Sequence, residues 1–168
     1  ISEVTAKKWL SLLITSGLVY MLKPYSSNIE KRIVKTPKLY FMDTGLAAYL
    51  TKWTNPHILR TGAMAGNFFE TFVVSEIVKS FANQGIDPPL YFYRDKDKYE
   101  IDMLITIDGT LFPIEIKKTA TPGIADAKNF FITQRIKNIK IADPIIICNC
   151  SGPVMVGKGV TAIPVDWV

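Results

Sequence analysis

Asp102, Glu115 and Lys117 are the residues of this sequence best spaced to do chemistry together. They lie within EIDMLITIDGTLFPIEIK, residues 100–117, where two runs rich in apolar residues flank Asp108-Gly109. An Asp-Gly pair between two such runs favours a two-residue type I′ hairpin turn. With that loop Ile107 faces Thr110, and counting back from the turn puts Asp102 opposite Glu115 and Glu100 opposite Lys117. Period-two alternation then gathers Asp102, Leu104, Glu115 and Lys117 on one face. Ile101, Met103, Ile105, Phe112, Ile114 and Ile116 go to the other, which is the expected core face. Cβ atoms of opposed residues are ~4.5–5.5 Å apart, and like charges at that distance repel. A divalent cation relieves the clash, because Mg²⁺ takes hard oxygen ligands, commonly one or two carboxylates with water and phosphate around them. Lys117, two residues beyond Glu115, reaches the same place and is suited to stabilise developing phosphate charge or to orient an attacking water. The plainer alternative is a solvent-facing strand face, with Glu100–Lys117 a surface ion pair of little value. The opposed acids favour the metal site.

Glu70 is the third acid to weigh. In the run from Asn67 to Asn83, Glu70, Val74, Ile77 and Phe81 recur at helical spacing, which puts Glu70 at the end of an apolar stripe. Glu76 shares its face with Lys79, Ser80 and Asn83 instead, a solvated stripe. Asn67-x-x-Glu70 is also a helix-capping pattern. Both roles for Glu70, cap and metal ligand, stand open at this level.

The elements that must position these groups follow from periodicity and turn residues. Residues 67–83 read as a helix ended by Gly85, Tyr91–Arg94 as a strand, and Asp95–Lys98 as a turn. The hairpin follows, then a helix over 124–139, a buried strand at 144–148 and a last strand near 160–165. Ahead of these, residues 3–15 read as a helix stopped at Ser16-Gly17. Short extended runs at 18–22, 32–35 and 38–42 come next, then a short helix from 43 to 50. Residues 51–65, with Pro56 and Gly62, read as a loop and a domain boundary. Helix, sharp stop and basic hairpin are the order of a partial winged helix-turn-helix over residues 1–50. Lys7, Lys8, Lys31, Arg32 and Lys35 would then face nucleic-acid phosphates.

Charge supports two units. The 168 residues carry a net +5, but residues 1–60 hold nine Lys/Arg against three Asp/Glu, and residues 61–168 hold eleven against twelve. No apolar run approaches the roughly 20 residues of a membrane span, and no signal peptide is present, so a cytoplasmic protein is expected. Ile1 rather than Met at the first position suggests a fragment trimmed from a longer protein. Cys148 and Cys150, as i, i+2 residues on a strand, are expected to stay reduced thiols and make a weak zinc signal. His57, the sole histidine, falls in an Asn-Pro-His loop and reads as solvated.

The α-β-β-β-α-β order, with Asp102, a twelve-residue gap and Glu115-Ile-Lys117, resembles the PD-(D/E)xK nuclease superfamily over residues 62–168. The resemblance implies an α/β restriction-endonuclease-like domain. It also implies Mg²⁺- or Mn²⁺-dependent hydrolysis of DNA phosphodiesters, with Asp102, Glu115 and Glu70 on the metal and Lys117 assisting the attack. The whole chain is similar to something narrower. PKLYFMDTGL at 37–46, GNFFETFVVSE at 66–76, YRDKDKYEID at 93–102 and IEIK at 114–117 resemble the C-terminal region of a large prokaryotic family of AAA-type ATPases, a domain of unknown function. In that family a P-loop ATPase precedes a winged helix and a nuclease-like domain. No G-x-x-x-x-G-K-[ST] occurs in this sequence, so the ATPase is an expected partner rather than part of the chain. DNA is the other expected partner, and neither a membrane nor a small-molecule substrate is expected. The competing expectation is a catalytically silent DNA-binding, regulatory or protein-interaction domain of the ATPase.

Overall fold

The computed structural model of the chain describes residues 1–25, 36–157 and 159–168. It is a mixed α/β protein, and the nine strands among the described residues form one mixed sheet. In chain order the elements are α1 (Glu3–Thr15), β1 (Val19–Pro24), β2 (Lys38–Phe41), α2 (Thr44–Leu50), α3 (Pro56–Thr61), α4 (Ala65–Asn83), β3 (Leu90–Arg94), β4 (Glu100–Ile107) and β5 (Thr110–Lys117). A 3-10 helix (Ile124–Arg135) follows, then β6 (Lys140–Ile141), β7 (Ile145–Cys148), β8 (Val154–Gly157), β9 (Val160–Pro164) and a 3-10 turn (Val165–Trp167). The strands lie in the order β2-β1-β3-β4-β5-β7-β9-β8, with β6 also on β5. β3, β4 and β5 form an antiparallel meander, and β5, β7 and β9 run parallel.

Both faces of the sheet are covered, which explains why β7 is an unbroken apolar run. Val73, Val74, Ile77 and Val78 of α4 pack with Met103, Ile114, Ile116 and Ile147 in one core. Phe130, Ile132 and Ile136 pack with Leu104, Leu111, Ile146 and Cys148 in the other. The plainer alternative, a solvent-facing strand face, therefore fails at Leu104, which is fully buried in the second core.

Several other expectations need correcting. The helix of residues 124–139 is 3-10, not α, and ends at Arg135. Its apolar residues come as the consecutive run Phe130-Phe131-Ile132, which cannot all lie on one α-helical stripe, and Phe131 is left exposed. Residues 51–65 are not all loop, because Asn55 caps the short helix α3 by accepting from the His57 and Ile58 N–H groups. His57, exposed, therefore stands on a helix. The first strand pairs antiparallel with the run at 38–41 and also parallel with β3, through Lys23 and Pro24. This joins the N-terminal segment to the sheet. The returning strand expected at 32–35 lies outside the described residues.

The β3–β4 turn is pinned from inside. Asp95, 3% exposed, accepts from the N–H groups of Asp97 and Tyr99 through Oδ1, while Oδ2 meets the Arg135 guanidinium. Asp95→Ala is expected to lower stability by about 2–3 kcal/mol, the scale of two lost hydrogen bonds to a charged acceptor. Chemical denaturation of the two proteins side by side measures it, and a loss below about 0.5 kcal/mol, the scale of a neutral surface change, would show that the turn holds without this carboxylate.

Candidate functional site

The hairpin has the anticipated turn and register. Asp108 and Gly109 have φ of 47° and 70°, and Ile107 pairs with Thr110 on through Met103 with Ile114. At that last pair the ladder stops. On the other side of β4 the pairing with β3 slips by one residue: Tyr91 faces Leu104, yet Tyr93 faces Ile101. β4 therefore carries an extra residue opposite Phe92, at Asp102-Met103. A bulge of this kind re-aims side chains and often stands beside functional sites. It also corrects the expected face pattern, since Ile101 packs in the second core while Met103 packs in the first.

The bulge leaves Asp102 where β4 parts from β5. Its Oδ2 accepts the N–H of Ile116 at 2.9 Å. A strand N–H points within the sheet plane, so the carboxylate fills the place of a missing strand partner. Glu115 and Lys117 meet it there. Lys117 Nζ lies 3.1 Å from Asp102 Oδ2 and 2.5 Å from Glu115 Oε2, so both carboxylates converge on one ammonium. The side chains are 15%, 0% and 32% exposed for Asp102, Glu115 and Lys117 respectively, so solvent reaches the cluster past Lys117 and Asp102 and not past Glu115.

Glu115 is the anomaly. It is buried, and neither of its carboxylate oxygens has a partner in hydrogen-bonding geometry among the described residues, despite the closeness of Lys117. Burial, then the Asp102 charge, push its pKa from an ordinary 4.5 to about 8, against the pull of Lys117. One lysine neutralises one of the two acids, and the other keeps its proton. Burial alone would lower the Lys117 pKa, but the Asp102 and Glu115 carboxylates outweigh it and hold the ammonium above its usual range. Two carboxylates this close have oxygens that could hold a hard divalent ion, provided that it shares or displaces the Lys117 ammonium that now lies between them.

Glu70 is not at the helix N-terminus. α4 begins at Ala65 after Met64, with Asn67 inside the helix, so the capping role is overturned. Its Oε1 accepts from the Tyr40 hydroxyl at 2.5 Å and from Lys38 Nζ at 3.2 Å. Lys38 also pairs with Glu100, and Arg94 pairs with the same glutamate. The anticipated Glu100–Lys117 pairing is thus replaced. Burial, then the Glu70 charge, raise the Tyr40 pKa. Among the described residues no three His, Cys, Asp or Glu side chains gather closely enough to hold a metal; Asp102 and Glu115 meet at Lys117, while Glu70 belongs to the separate network of Tyr40 and Lys38. Lys38 and Tyr40 escaped the sequence reading, although Lys38-x-Tyr40 on one strand places both on one face.

Of the other residues singled out, Lys7 is exposed and pairs with Glu3 at 2.6 Å, and Lys8 is exposed on the same helix. Lys31, Arg32 and Lys35 lie outside the described residues. Cys148 and Cys150 are buried free thiols, and burial pushes Cys148 up to about 11. No described helix is long and apolar enough to cross a membrane.

The molecule is thus a mixed-sheet α/β protein with a buried glutamate, a half-buried aspartate and a lysine where two strands part. Residues 65–168 match the family described as Domain of unknown function (DUF4143), and the chain belongs to that family. Residues 1–57 match another, Domain of unknown function (DUF8612). Over its full length the chain is 27% identical to the uncharacterized protein Rv2008c of Mycobacterium tuberculosis and to the uncharacterized protein Mb2031c of Mycobacterium bovis. It spans 36% of the length of these relatives. No solved structure matches the chain.

Proposed function

We propose that this chain is a metal-dependent phosphodiesterase domain of the PD-(D/E)xK type, acting on DNA and attached to an AAA-type ATPase. The observation that carries the reading is Glu115: a fully buried carboxylate 2.5 Å from the Lys117 ammonium, whose oxygens have no partner in hydrogen-bonding geometry among the described residues, with Asp102 on the same ammonium. The order α4-β3-β4-β5, 3-10 helix and β7 supports the fold assignment, as does the helix-then-hairpin start for a partial winged helix. Most of the relatives' length lies outside the match, which leaves room for an ATPase.

Asp102 and Glu115 would hold Mg²⁺ or Mn²⁺ between them, with Asp102 oriented by the Ile116 N–H. Such an ion would supply Lewis acidity to the scissile phosphate and to the attacking water. Lys117 would face its ammonium to the phosphate oxygens, where negative charge grows as the water oxygen bonds to phosphorus and gives a proton to solvent. The bond from phosphorus to the leaving oxygen would break, that oxygen taking a proton from solvent and departing as the alcohol. Glu70, fixed by Tyr40 and Lys38, borders the centre and sets the local charge.

A second reading has one specific observation in its favour: Lys117 already contacts both acids, as it would in a catalytically silent structural triad. Calorimetric titration with Mn²⁺ separates the two. The metal site is expected to bind Mn²⁺, and Asp102→Asn, which keeps an oxygen for the Ile116 N–H, is expected to weaken binding at least about tenfold, the scale seen when a single ligand partner is lost. A triad that binds no Mn²⁺, or binds it equally well as Asp102→Asn, ends the hydrolytic proposal.

A further inference from the structure

A groove of about 1030 Å³ opens near the C-terminal ends of the parallel strands β5 and β7. α3, the first half of α4 and the residues just after β5 and β7 form its walls. Phe68, Phe69 and Phe72 of α4 supply aromatic surface, with Phe72 41% exposed. Arg60 and Lys118, both exposed, and His57 line the same groove, and no Asp or Glu does among the described residues. The C-terminal ends of parallel strands are a recurrent place for ligands in open α/β sheets.

Aromatic rings beside fixed cations are how proteins hold single-stranded nucleic acid: base faces stack on the rings and phosphates pair with the cations. A duplex keeps its base faces stacked on one another and offers none to a protein ring. The groove's charge has one sign among the described residues, and Lys118, which lines it, follows Lys117 in the chain just past the end of β5. We propose that this groove binds a single-stranded segment of nucleic acid leading to the Asp102–Glu115–Lys117 centre. Phe72 stacks a base, and Arg60 and Lys118 hold the flanking phosphates. The substrate class is then a single strand, a flap or a frayed end rather than intact duplex. This rests on the phosphodiesterase reading of the neighbouring centre.

The test is fluorescence anisotropy on the chain with EDTA present, using labelled oligothymidylate, a strand of the same length made of abasic sugar-phosphates, and a blunt duplex. Oligothymidylate is expected to bind about tenfold tighter than the abasic strand, the order of one stacked base, and tighter than the duplex. Phe72→Ala should erase the preference for bases, and Phe72→Trp should keep it. Arg60→Ala with Lys118→Ala should weaken both single strands and make binding less salt-dependent, by about one unit of logarithmic slope per lost phosphate contact. Equal affinity for abasic and base-bearing strands, or a preference for duplex, overturns the groove. Cleavage with Mn²⁺ is measured separately on the same substrates. Base-dependent binding without any cleavage supports the groove and removes the hydrolytic reading, whereas cleavage indifferent to Phe72→Ala and to strandedness does the reverse.

Discussion

Lys117→Ala is expected to produce a protein whose metal-free stability keeps falling above about pH 8, where that of the native protein has levelled off, and returns on adding Mg²⁺, while its cleavage activity does not return. In the native protein one ammonium faces two carboxylates. Removing it leaves the fully buried Glu115 with its nearest charge neighbour Asp102, an acid. Breaking a buried pair from one side costs several kcal/mol. Because Lys117 is 32% exposed, solvent screens part of that, and a loss of about 2–4 kcal/mol at pH 9 is the reasonable scale. Near pH 6 the loss is smaller, because Glu115, with its pKa near 8 even beside Lys117, is protonated in both proteins. Mg²⁺ bound to the acid pair restores the missing positive charge and stabilises the folded state by mass action. It does not replace an ammonium aimed at phosphate oxygens, so cleavage should stay about 10²–10³-fold down, the cost of losing one preorganised electrostatic group. Melting curves from pH 5 to 9, with and without Mg²⁺, read the first part, and a nicking assay reads the second. Activity recovering alongside stability would reduce Lys117 to a structural counter-ion.

The sequence made the hairpin legible because its signal is local. Asp108-Gly109 dictates the turn, the turn dictates the register, and the register brings Asp102 near Glu115 without any knowledge of the rest of the chain. The bulge at Asp102-Met103 was not legible, since it is imposed by pairing with β3, a strand whose register nothing in β4 announces. That bulge decides how Asp102 meets Lys117 and why Ile101 and Met103 enter different cores. The burial of Glu115 was hidden for a similar reason: period-two alternation distinguishes two faces but cannot say that the second is covered, as it is at Leu104 and Leu111 by Phe130 and Ile132 of the distant 3-10 helix. Glu70 illustrates the limit of short patterns. Asn67-x-x-Glu70 has the spacing of a cap, yet the helix starts at Ala65, and the partners that hold Glu70, Tyr40 and Lys38, come from about thirty residues earlier in the chain.

The same concealment bears on what kind of site this is. A carboxylate on an open strand face needs no cation, because water solvates it and the repulsion across the hairpin is weak. Enclosed beside Asp102, it is a charge the apo protein avoids by keeping a proton. On the proposed reading a divalent ion and that proton would compete for one place, so metal affinity should rise with pH up to about 8, where Glu115 gives up its proton unaided.

Glu115→Gln turns this competition into opposite-signed effects. Glu115 has its folded-state pKa raised from 4.5 to about 8, so its contribution to stability is fully present below about pH 4.5 and is lost as pH rises towards 8. Glutamine has no proton to lose, so the metal-free variant should lack that slope and exceed the native protein by about 1–2 kcal/mol at pH 9; the buried amide's own unmet hydrogen bonds keep the gain below the full linkage value. At pH 5 the two should melt alike. With Mn²⁺ present the order should invert, because the native acid pair gains binding energy and the amide variant gains little. A salt-bridge scaffold predicts the contrary: Glu115→Gln would remove a Lys117 partner and destabilise at every pH above 5, with or without metal. Thermal melts of both proteins at pH 5 and pH 9, each with EDTA and with Mn²⁺, decide between them. A variant less stable than the native protein at pH 9 in EDTA would mean that Glu115 serves Lys117 as an ordinary ion-pair partner and not as a ligand held in readiness for a cation.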